Sequence, residues 1–177
     1  MPAPNNSVVI SDVSNLQRYG VKGPLAAQWL ASHGLALAAK ANTWVLSGHA
    51  IVMRLGASEF LIEDQADGRV CDKLAADTLR VAGVYKVPRA DAAYLLAGSG
   101  VLHLFAELCP LDLRETALAQ NDVIMTQVAD ISTTVLRQTI DNETIYRLWC
   151  DGTYGAYMRH TLADIAAELG GRTNGHM

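Results

Sequence analysis

The sequence predicts an α+β fold, and three features of the chain indicate it. The stretch 49–63 contains two short strands, the first of which carries Ile51, Val52 and Met53 in succession. A strand that is apolar at successive positions is typical of the centre of a sheet covered on both faces. The other features are a series of further short apolar strands and a few helices bounded by glycine, as Gly23 and Gly34 bound the first helix.

The two strands of this stretch, 50–54 and 59–63, are predicted to form a hairpin through the loop Leu55-Gly56-Ala57-Ser58. With a loop of this length, Arg54 and Glu59 lie directly opposite each other. A cross-strand pair of opposite charges contributes about 0.2–1 kcal/mol. We interpret the pair as a structural ion pair that closes the turn rather than as a ligand site.

The remaining elements follow from apolar runs, helical spacing and turn residues. Pro24 suits the first turn of a helix, where its missing N–H is not needed, and Gly34 is a typical helix stop. Asp151 or Thr153 is predicted to cap the last helix. Its predicted apolar stripe is Tyr154, Tyr157 or Met158, Thr161, Ile165 and Leu169. Strands are predicted at 8–10, 17–22, 43–46, 84–87, 92–96, 122–128, 131–138 and 144–150, and helices at 24–33, 70–80, 98–109 and 151–169.

An internal near-repeat is predicted from the order of these elements. Residues 21–31 can be laid on residues 96–106, which matches Gly23 with Gly98. Each copy runs from a strand through a glycine turn into a helix, followed by several strands and another helix. The sequence therefore predicts a single domain, 1–177, made of two β/α halves at roughly 8–80 and 83–170, with loose tails at 1–7 and 172–177.

Composition excludes several classes of partner. Charged residues are 18% of the 177 residues, against about 25% in typical globular domains, which favours a surface partly covered by a partner protein. A net charge of −4 does not favour binding to nucleic acid. The sequence also has no run of basic residues that would favour binding to an anionic membrane. The sequence has neither a secretory signal pattern nor a run of about 18 apolar residues, so a cytoplasmic protein is expected.

No catalytic or metal motif stands out. The three cysteines, Cys71, Cys109 and Cys150, form no CxxC pair and are interpreted as small buried hydrophobes. The five histidines include no pair at metal-ligand spacing, so no metal site is predicted. The glycines around Ser99 are interpreted as a plain helix start rather than a dinucleotide loop, because the third glycine of that motif is replaced by His103.

Several motifs resemble the glycine-cleavage T protein (aminomethyltransferase) superfamily. Its opening is matched by Asp12-Val13-Ser14 and by Arg18-Tyr19-Gly20-Val21-Lys22-Gly23-Pro24. Further segments are similar to the sarcosine oxidase gamma subunit family, so the resemblance spans about residues 8 to 171. These segments are Arg54-Leu55-Gly56 with Glu59-Phe60-Leu61, Val87-Pro88-Arg89, Leu96-Ala97-Gly98, Cys109-Pro110-Leu111-Asp112-Leu113, and Tyr146-Arg147-Leu148-Trp149-Cys150-Asp151-Gly152-Thr153-Tyr154.

This resemblance implies a folate-binding-domain-like fold of two intertwined β/α halves. It also implies a small accessory subunit of a heterotetrameric flavoprotein that oxidatively demethylates N-methylglycine. FAD, FMN, NAD and tetrahydrofolate would then be associated with the larger subunits, and this chain would carry no cofactor and no chemistry. One departure supports that reading, because the aminomethyltransferases carry an acidic residue where this chain has Ser47-Gly48-His49-Ala50-Ile51.

Two other hypotheses stay open. The chain could instead be a stand-alone tetrahydrofolate-binding protein or a small aminomethyltransferase-like protein that completes its pocket as a homodimer. Under that alternative, Arg54, Glu59 and Tyr154 are the candidate folate contacts. The fold could also serve as an assembly scaffold for a related N-methyl amine oxidase, in which only the substrate differs.

Overall fold

The computed structural model describes residues 7–174, with the backbone alone described for residues 172–174. These residues divide into two compact units. The inserted unit is Asn15–Ala90, and the flanking unit consists of the described residues on either side of it in the sequence. Each unit contains one mainly antiparallel sheet and two helices, so the predicted mixture of strands and helices is confirmed.

The elements are numbered in chain order. They are β1 (Val9–Asp12), β2 (Arg18–Lys22), α1 (Ala26–Ser32), β3 (Thr43–Ser47), β4 (Ala50–Gly56), β5 (Glu59–Asp64), α2 (Val70–Ala76), β6 (Tyr85–Pro88), β7 (Ala92–Ala97), α3 (Val101–Leu108), β8 (Val123–Val128), β9 (Ile131–Ile140), β10 (Glu143–Cys150), a 3-10 turn (Gly152–Tyr154), α4 (Gly155–Glu168) and β11 (Arg172–Asn174).

The inserted unit is built on an antiparallel sheet with the strand order β3-β4-β5-β2-β6. β4 lies inside this sheet, and its residues Ile51, Val52 and Met53 are each 0% exposed. The prediction of a strand buried on both faces is therefore confirmed. One face of the sheet packs against α1 and α2 through an apolar cluster that includes Val21, Ala26, Trp29, Leu30, Val52, Phe60, Ile62, Cys71 and Leu74.

The predicted pairing of Arg54 with Glu59 is wrong. Arg54 lies opposite Phe60, and Gly56 lies opposite Glu59, so the register shifts between Arg54 and Gly56. This shift places an extra residue, Leu55, on β4 as a β-bulge, and the connecting turn shrinks to two residues. Glu59 instead pairs with Lys22 on β2, with 2.8 Å between Nζ and Oε1.

Helix α2 is shorter than predicted, and its two ends explain why. At its start, the buried Asp64 carboxylate accepts hydrogen bonds from the backbone N–H groups of Val70 at 3.1 Å and Cys71 at 3.0 Å. These two groups have no partner inside the helix, so Asp64 caps it from the end of β5. At its end, Asp77 adopts an extended conformation with φ −71° and ψ 103°, which stops the helix before the predicted boundary at Arg80.

The flanking unit is built on a sheet with the strand order β11-β1-β7-β10-β9-β8, in which only β1 and β11 pair in parallel among the described strands. Its core lies between this sheet and the helices α3 and α4. Two sequence boundaries differ from the prediction. β1 belongs to this sheet and not to the first predicted half, and residues 172–174 form β11 beside β1 rather than a loose tail. Residues 1–6 and 175–177 of the predicted tails lie outside the described residues.

The two sheets share the spatial order of five strands, although β6 follows the second helix of its unit and β1 comes first in the chain. The inserted order β3-β4-β5-β2-β6 corresponds strand by strand to β8-β9-β10-β7-β1 in the flanking unit. The corresponding strands β2 and β7 each lead directly into the first helix of their unit, α1 and α3.

The starts of these two helices share their backbone contacts as well. Gly23 and Gly98 have φ values of +114° and +108°, in the region that L side chains rarely adopt. The N–H of Leu25 donates to the carbonyl of Gly83 at 3.0 Å, and the N–H of Gly100 donates to the carbonyl of Ser7 at 3.0 Å. The two glycines that the near-repeat aligned therefore occupy the same local geometry.

Candidate functional site

Arg54 is the first of the sequence-predicted folate contacts, and its guanidinium is engaged by the chain itself. The side chain extends from the bulge of β4 toward the segment that precedes β3. Because four N–H groups already meet oxygen atoms, Arg54 fastens that segment to the hairpin turn. The acceptors are the carbonyl oxygens of Ala38 at 3.2 Å, Ala39 at 2.9 Å, Gly56 at 3.3 Å and Ala57 at 2.8 Å.

The other two predicted contacts lie in different surroundings. Glu59 begins β5 and is held by Lys22, with both side chains partly exposed. Tyr154 belongs to the flanking unit, in the 3-10 turn before α4, and is 48% exposed. Asp151 caps this 3-10 turn rather than α4 itself, since its Oδ1 accepts the N–H of Thr153 at 2.9 Å and α4 begins after Tyr154. The structure thus places Arg54 and Glu59 in one hairpin and Tyr154 in the other unit.

The predicted apolar stripe of the last helix is confirmed in part, since Met158 is buried and Ile165 and Leu169 pack against the core. The buried residues of α4 are Met158, Leu162 and Ala166. Tyr154 and Tyr157 are 48% and 51% exposed, so these two aromatics lie outside the core. Large exposed aromatic side chains are common at interaction surfaces, where their rings bury area at low entropic cost.

Sequence reasoning missed a polar cluster at the end of α1. The ring of His33 contacts the Trp29 carbonyl through Nδ1 at 2.9 Å and the Asp77 carboxylate through Nε2 at 3.1 Å. Lys86 joins the cluster, with Nζ 3.4 Å from Asp77 Oδ1 and 4.9 Å from the centroid of the Trp29 ring. The pKa of the Asp77 carboxyl is held below its ordinary value, mainly by the hydrogen bond from the Leu79 N–H. The positive charge of Lys86 lowers this pKa further. His33 and Asp77 are 44 residues apart, so no local pattern could have revealed their contact.

The thiols of Cys71 and Cys150 are buried and poorly nucleophilic. Burial is the main reason that the pKa of Cys71 is raised to about 12, and the Asp64 carboxylate adds to it. Burial likewise raises the pKa of Cys150 to about 11, with Asp91 as the next cause. Since the thiolate is the nucleophile, neither group is suited to covalent catalysis at neutral pH.

This placement predicts slow thiol modification in the folded protein. At pH 8, Cys71 and Cys150 are expected to react with an aromatic disulfide reagent at least about a hundredfold more slowly than a free thiol, because little thiolate forms. The check is the absorbance released with time, with the guanidinium-unfolded chain as the control, which should titrate all three cysteines at once. Rapid modification of Cys71 or Cys150 in the folded chain would contradict the burial described.

An exposed apolar surface lies along one edge of the inserted sheet. β6 is the last strand in the sheet order and, among the described strands, pairs with β2 alone. We define the apolar edge as Leu25, Leu79, Val81 and Tyr85, which are 39%, 74%, 38% and 63% exposed. A Cβ built on Gly83 would lie 3.2 Å from the Leu25 side chain, which places this segment beside the start of α1. Exposed apolar groups beside an open strand edge are typical of a surface that another chain covers.

Within residues 7–174, no group of three or more histidine, cysteine, aspartate or glutamate side chains is arranged to hold a metal ion. Of the helices in the same part of the chain, none has both the length and the apolar character needed to cross a bilayer.

The sequence matches no protein-family model. It also matches no curated protein.

Solved structures, however, share the fold. The chain is similar to a chain of the heterotetrameric sarcosine oxidase from Corynebacterium sp. U-96, solved with pyrrole 2-carboxylate, with a TM-score of 0.76 and 21% identity over 94% of this chain and 87% of that one. It is also similar to the glycine cleavage system aminomethyltransferase T from Bartonella henselae, with a TM-score of 0.64 and 14% identity over 94% of this chain and 47% of that one. This chain therefore has the fold of a whole sarcosine oxidase chain and of about half of an aminomethyltransferase.

Proposed function

We propose that the chain is a non-catalytic, gamma-type accessory subunit of a sarcosine oxidase-like flavoprotein that oxidatively demethylates N-methylglycine in the cytoplasm. The observation that carries this proposal is the fold shared with a heterotetrameric sarcosine oxidase chain, with coverage of 94% on one side and 87% on the other. Such mutual coverage means that the two chains have similar lengths. In this proposal FAD, FMN and NAD are bound by the larger partner subunits, and tetrahydrofolate is associated with those subunits as well.

The engagement of the candidate site residues supports an accessory role. Arg54 donates to four backbone carbonyls, and Glu59 is paired with Lys22, so both already stabilise the hairpin. The raised pKa values of Cys71 and Cys150 leave these thiols protonated at neutral pH. These side chains therefore support a structural role for the chain rather than a catalytic one.

The shared spatial order of five strands in the two sheets and the matching contacts of Gly23 and Gly98 support a finer proposal about the fold. We infer that the two halves arose by internal duplication and form a folate-binding-domain-like fold that no longer needs to bind folate. The grouping of β1 with the second half is what makes the halves intertwined in sequence.

We infer that the apolar edge docks on a larger subunit of the complex. Replacing Leu79, which is 74% exposed, with glutamate is expected to reduce recovery of the partner subunits at least about fivefold, since it puts a charge into an apolar contact. The measurement is co-purification of tagged wild-type and variant chains at matched expression. Leu46→Glu is the control, because Leu46 is 58% exposed on β3 at the opposite edge of the same sheet. Equal recovery with both variants would contradict this docking surface.

Folate titration of the purified chain tests the accessory role against the homodimer alternative. The accessory role predicts a colourless chain without sarcosine turnover and without saturable tetrahydrofolate binding. The alternative predicts saturable binding by a homodimer that weakens in Glu59→Gln or Tyr154→Phe. These variants are more informative than Arg54→Ala, because removing the Arg54 guanidinium would also release four backbone carbonyls.

A further inference from the structure

We propose that the inserted unit binds a small carboxylate with a short apolar body in a cavity of about 230 Å³ beside the end of α1. The cavity lies between the end of α1, the turn that joins β3 to β4, and one side of α2. This volume corresponds to about eight water molecules, so the ligand is no larger than a short-chain acid. The residues that define its chemistry are His33, Leu35, Ser47, Val70, Lys73 and Leu74.

The end of α1 forms the first wall of the cavity. The N–H of Gly34 donates to the carbonyl of Ala31 at 2.9 Å, and the N–H of Leu35 donates to the carbonyl of Leu30 at 3.3 Å. These two bonds, with φ +81° at Gly34, are the Schellman ending of a helix. The ending turns Leu35 back onto the helix, where it is 8% exposed.

The other walls come from α2 and the β3–β4 turn. Val70 and Leu74 are one helical turn apart and therefore lie on the same side of α2. Leu74 is 1% exposed and joins the core of the unit. Opposite them, Gly48 has φ +59°, and a Cβ built on it would meet no atom within 4 Å. The interior of the cavity is thus apolar and open at the turn.

The polar groups at the rim are positive or hydrogen-bond donors. Lys73 is exposed, and none of the described ion pairs or side-chain hydrogen bonds engages its ammonium group. Both ring nitrogens of His33 are already engaged, by the Trp29 carbonyl and the Asp77 carboxylate, so the groups that remain for a ligand are those of Lys73 and Ser47. The Ser47 hydroxyl oxygen accepts the Ala36 N–H at 2.9 Å, which leaves its own proton available to a ligand.

This arrangement fits a carboxylate better than other small ligands. A carboxylate can accept from the Lys73 ammonium and the Ser47 hydroxyl while a chain of a few carbons covers Leu35 and Val70. A cation would be repelled by the Lys73 ammonium group, and a neutral amide would gain no charge-assisted bond. None of the residues that line the cavity belongs to the apolar edge, so this proposal does not depend on the proposed docking surface.

Titration of the isotopically labelled full chain with sodium butyrate, followed by amide chemical shifts, tests the proposal. We expect saturable shifts confined to the end of α1, the Ser47 turn and α2, with a Kd on the order of millimolar. Butyramide has the same size without the charge and is expected to bind at least about fivefold more weakly. The Lys73→Gln variant should weaken butyrate binding by a similar factor, and Lys73→Arg should retain it.

Lys40→Gln is the matched control, because it removes the same charge from an exposed position of the same unit that does not line the cavity. Butyrate binding to this variant should equal that of the unmodified chain. The proposal is overturned if butyrate produces no saturable shifts, if the shifts fall elsewhere, or if Lys73→Gln and Lys40→Gln have the same effect.

Discussion

Replacing Arg18 with alanine is expected to lower the free energy of unfolding by about 3–5 kcal/mol, the usual effect of breaking a buried ion pair from one side. Arg18 Nε lies 2.6 Å from Glu63 Oε2, and the two side chains are 2% and 0% exposed. Removing the guanidinium leaves the buried Glu63 carboxylate without the positive charge that lies 2.6 Å from it. Urea unfolding of the variant and the unmodified chain measures the difference.

The same pair of strands provides the control. Lys22 and Glu59 face each other across β2 and β5, as Arg18 and Glu63 do, but their side chains are 48% and 37% exposed. Lys22→Ala is therefore expected to cost no more than about 1 kcal/mol. Replacing both buried partners, as Arg18→Met with Glu63→Leu, should cost less than Arg18→Ala alone because no charge stays buried. Equal losses for Arg18→Ala and Lys22→Ala would contradict this account.

Replacing Gly23 with alanine is expected to destabilise the inserted unit by more than about 2 kcal/mol, for two reasons that add. A residue with a side chain is strained at φ +114°, which costs about 1–3 kcal/mol. The new Cβ would also lie 2.3 Å from the carbonyl oxygen of Gly83, so this carbonyl must move and its hydrogen bond to Leu25 is disturbed. Urea unfolding is again the measurement.

Gly34→Ala separates the two causes. Gly34 also has a positive φ, +81°, but a Cβ there meets no atom within 4 Å. This control should lose only the backbone strain of about 1–2 kcal/mol. If Gly34→Ala destabilises the chain as much as Gly23→Ala, the close approach to Gly83 is not what requires glycine at position 23.

Local sequence signals predicted the elements that depend on short-range physics. Successive apolar residues identified β4 as an internal strand, and Gly34 marked the end of α1, because both effects act within a few residues. The predicted pairing of Arg54 with Glu59 was wrong because a single bulge residue shifts the register of the residues on either side of it. The identity of Leu55 does not indicate a bulge.

Long-range pairing was beyond sequence reasoning. β1 joins the flanking sheet and β11 adds a three-residue strand beside it, and such choices depend on contacts far apart in the chain. At one position of the α4 stripe the spacing left Tyr157 and Met158 as alternatives, and only the packing in the structure shows that Met158 is the buried one. The candidate site shows the same limit. Arg54 was a candidate ligand contact under the folate-binding alternative, and no local pattern indicated the carbonyls that it meets.

The accessory-subunit role is tested most directly by recovering the tagged chain from its native cells and recording the subunit masses and the visible spectrum of the eluate. The account predicts that the 19.0 kDa chain co-elutes with larger subunits in a yellow, flavin-containing complex that oxidises sarcosine. A colourless chain recovered alone, from cells that express such a flavoprotein, would contradict it.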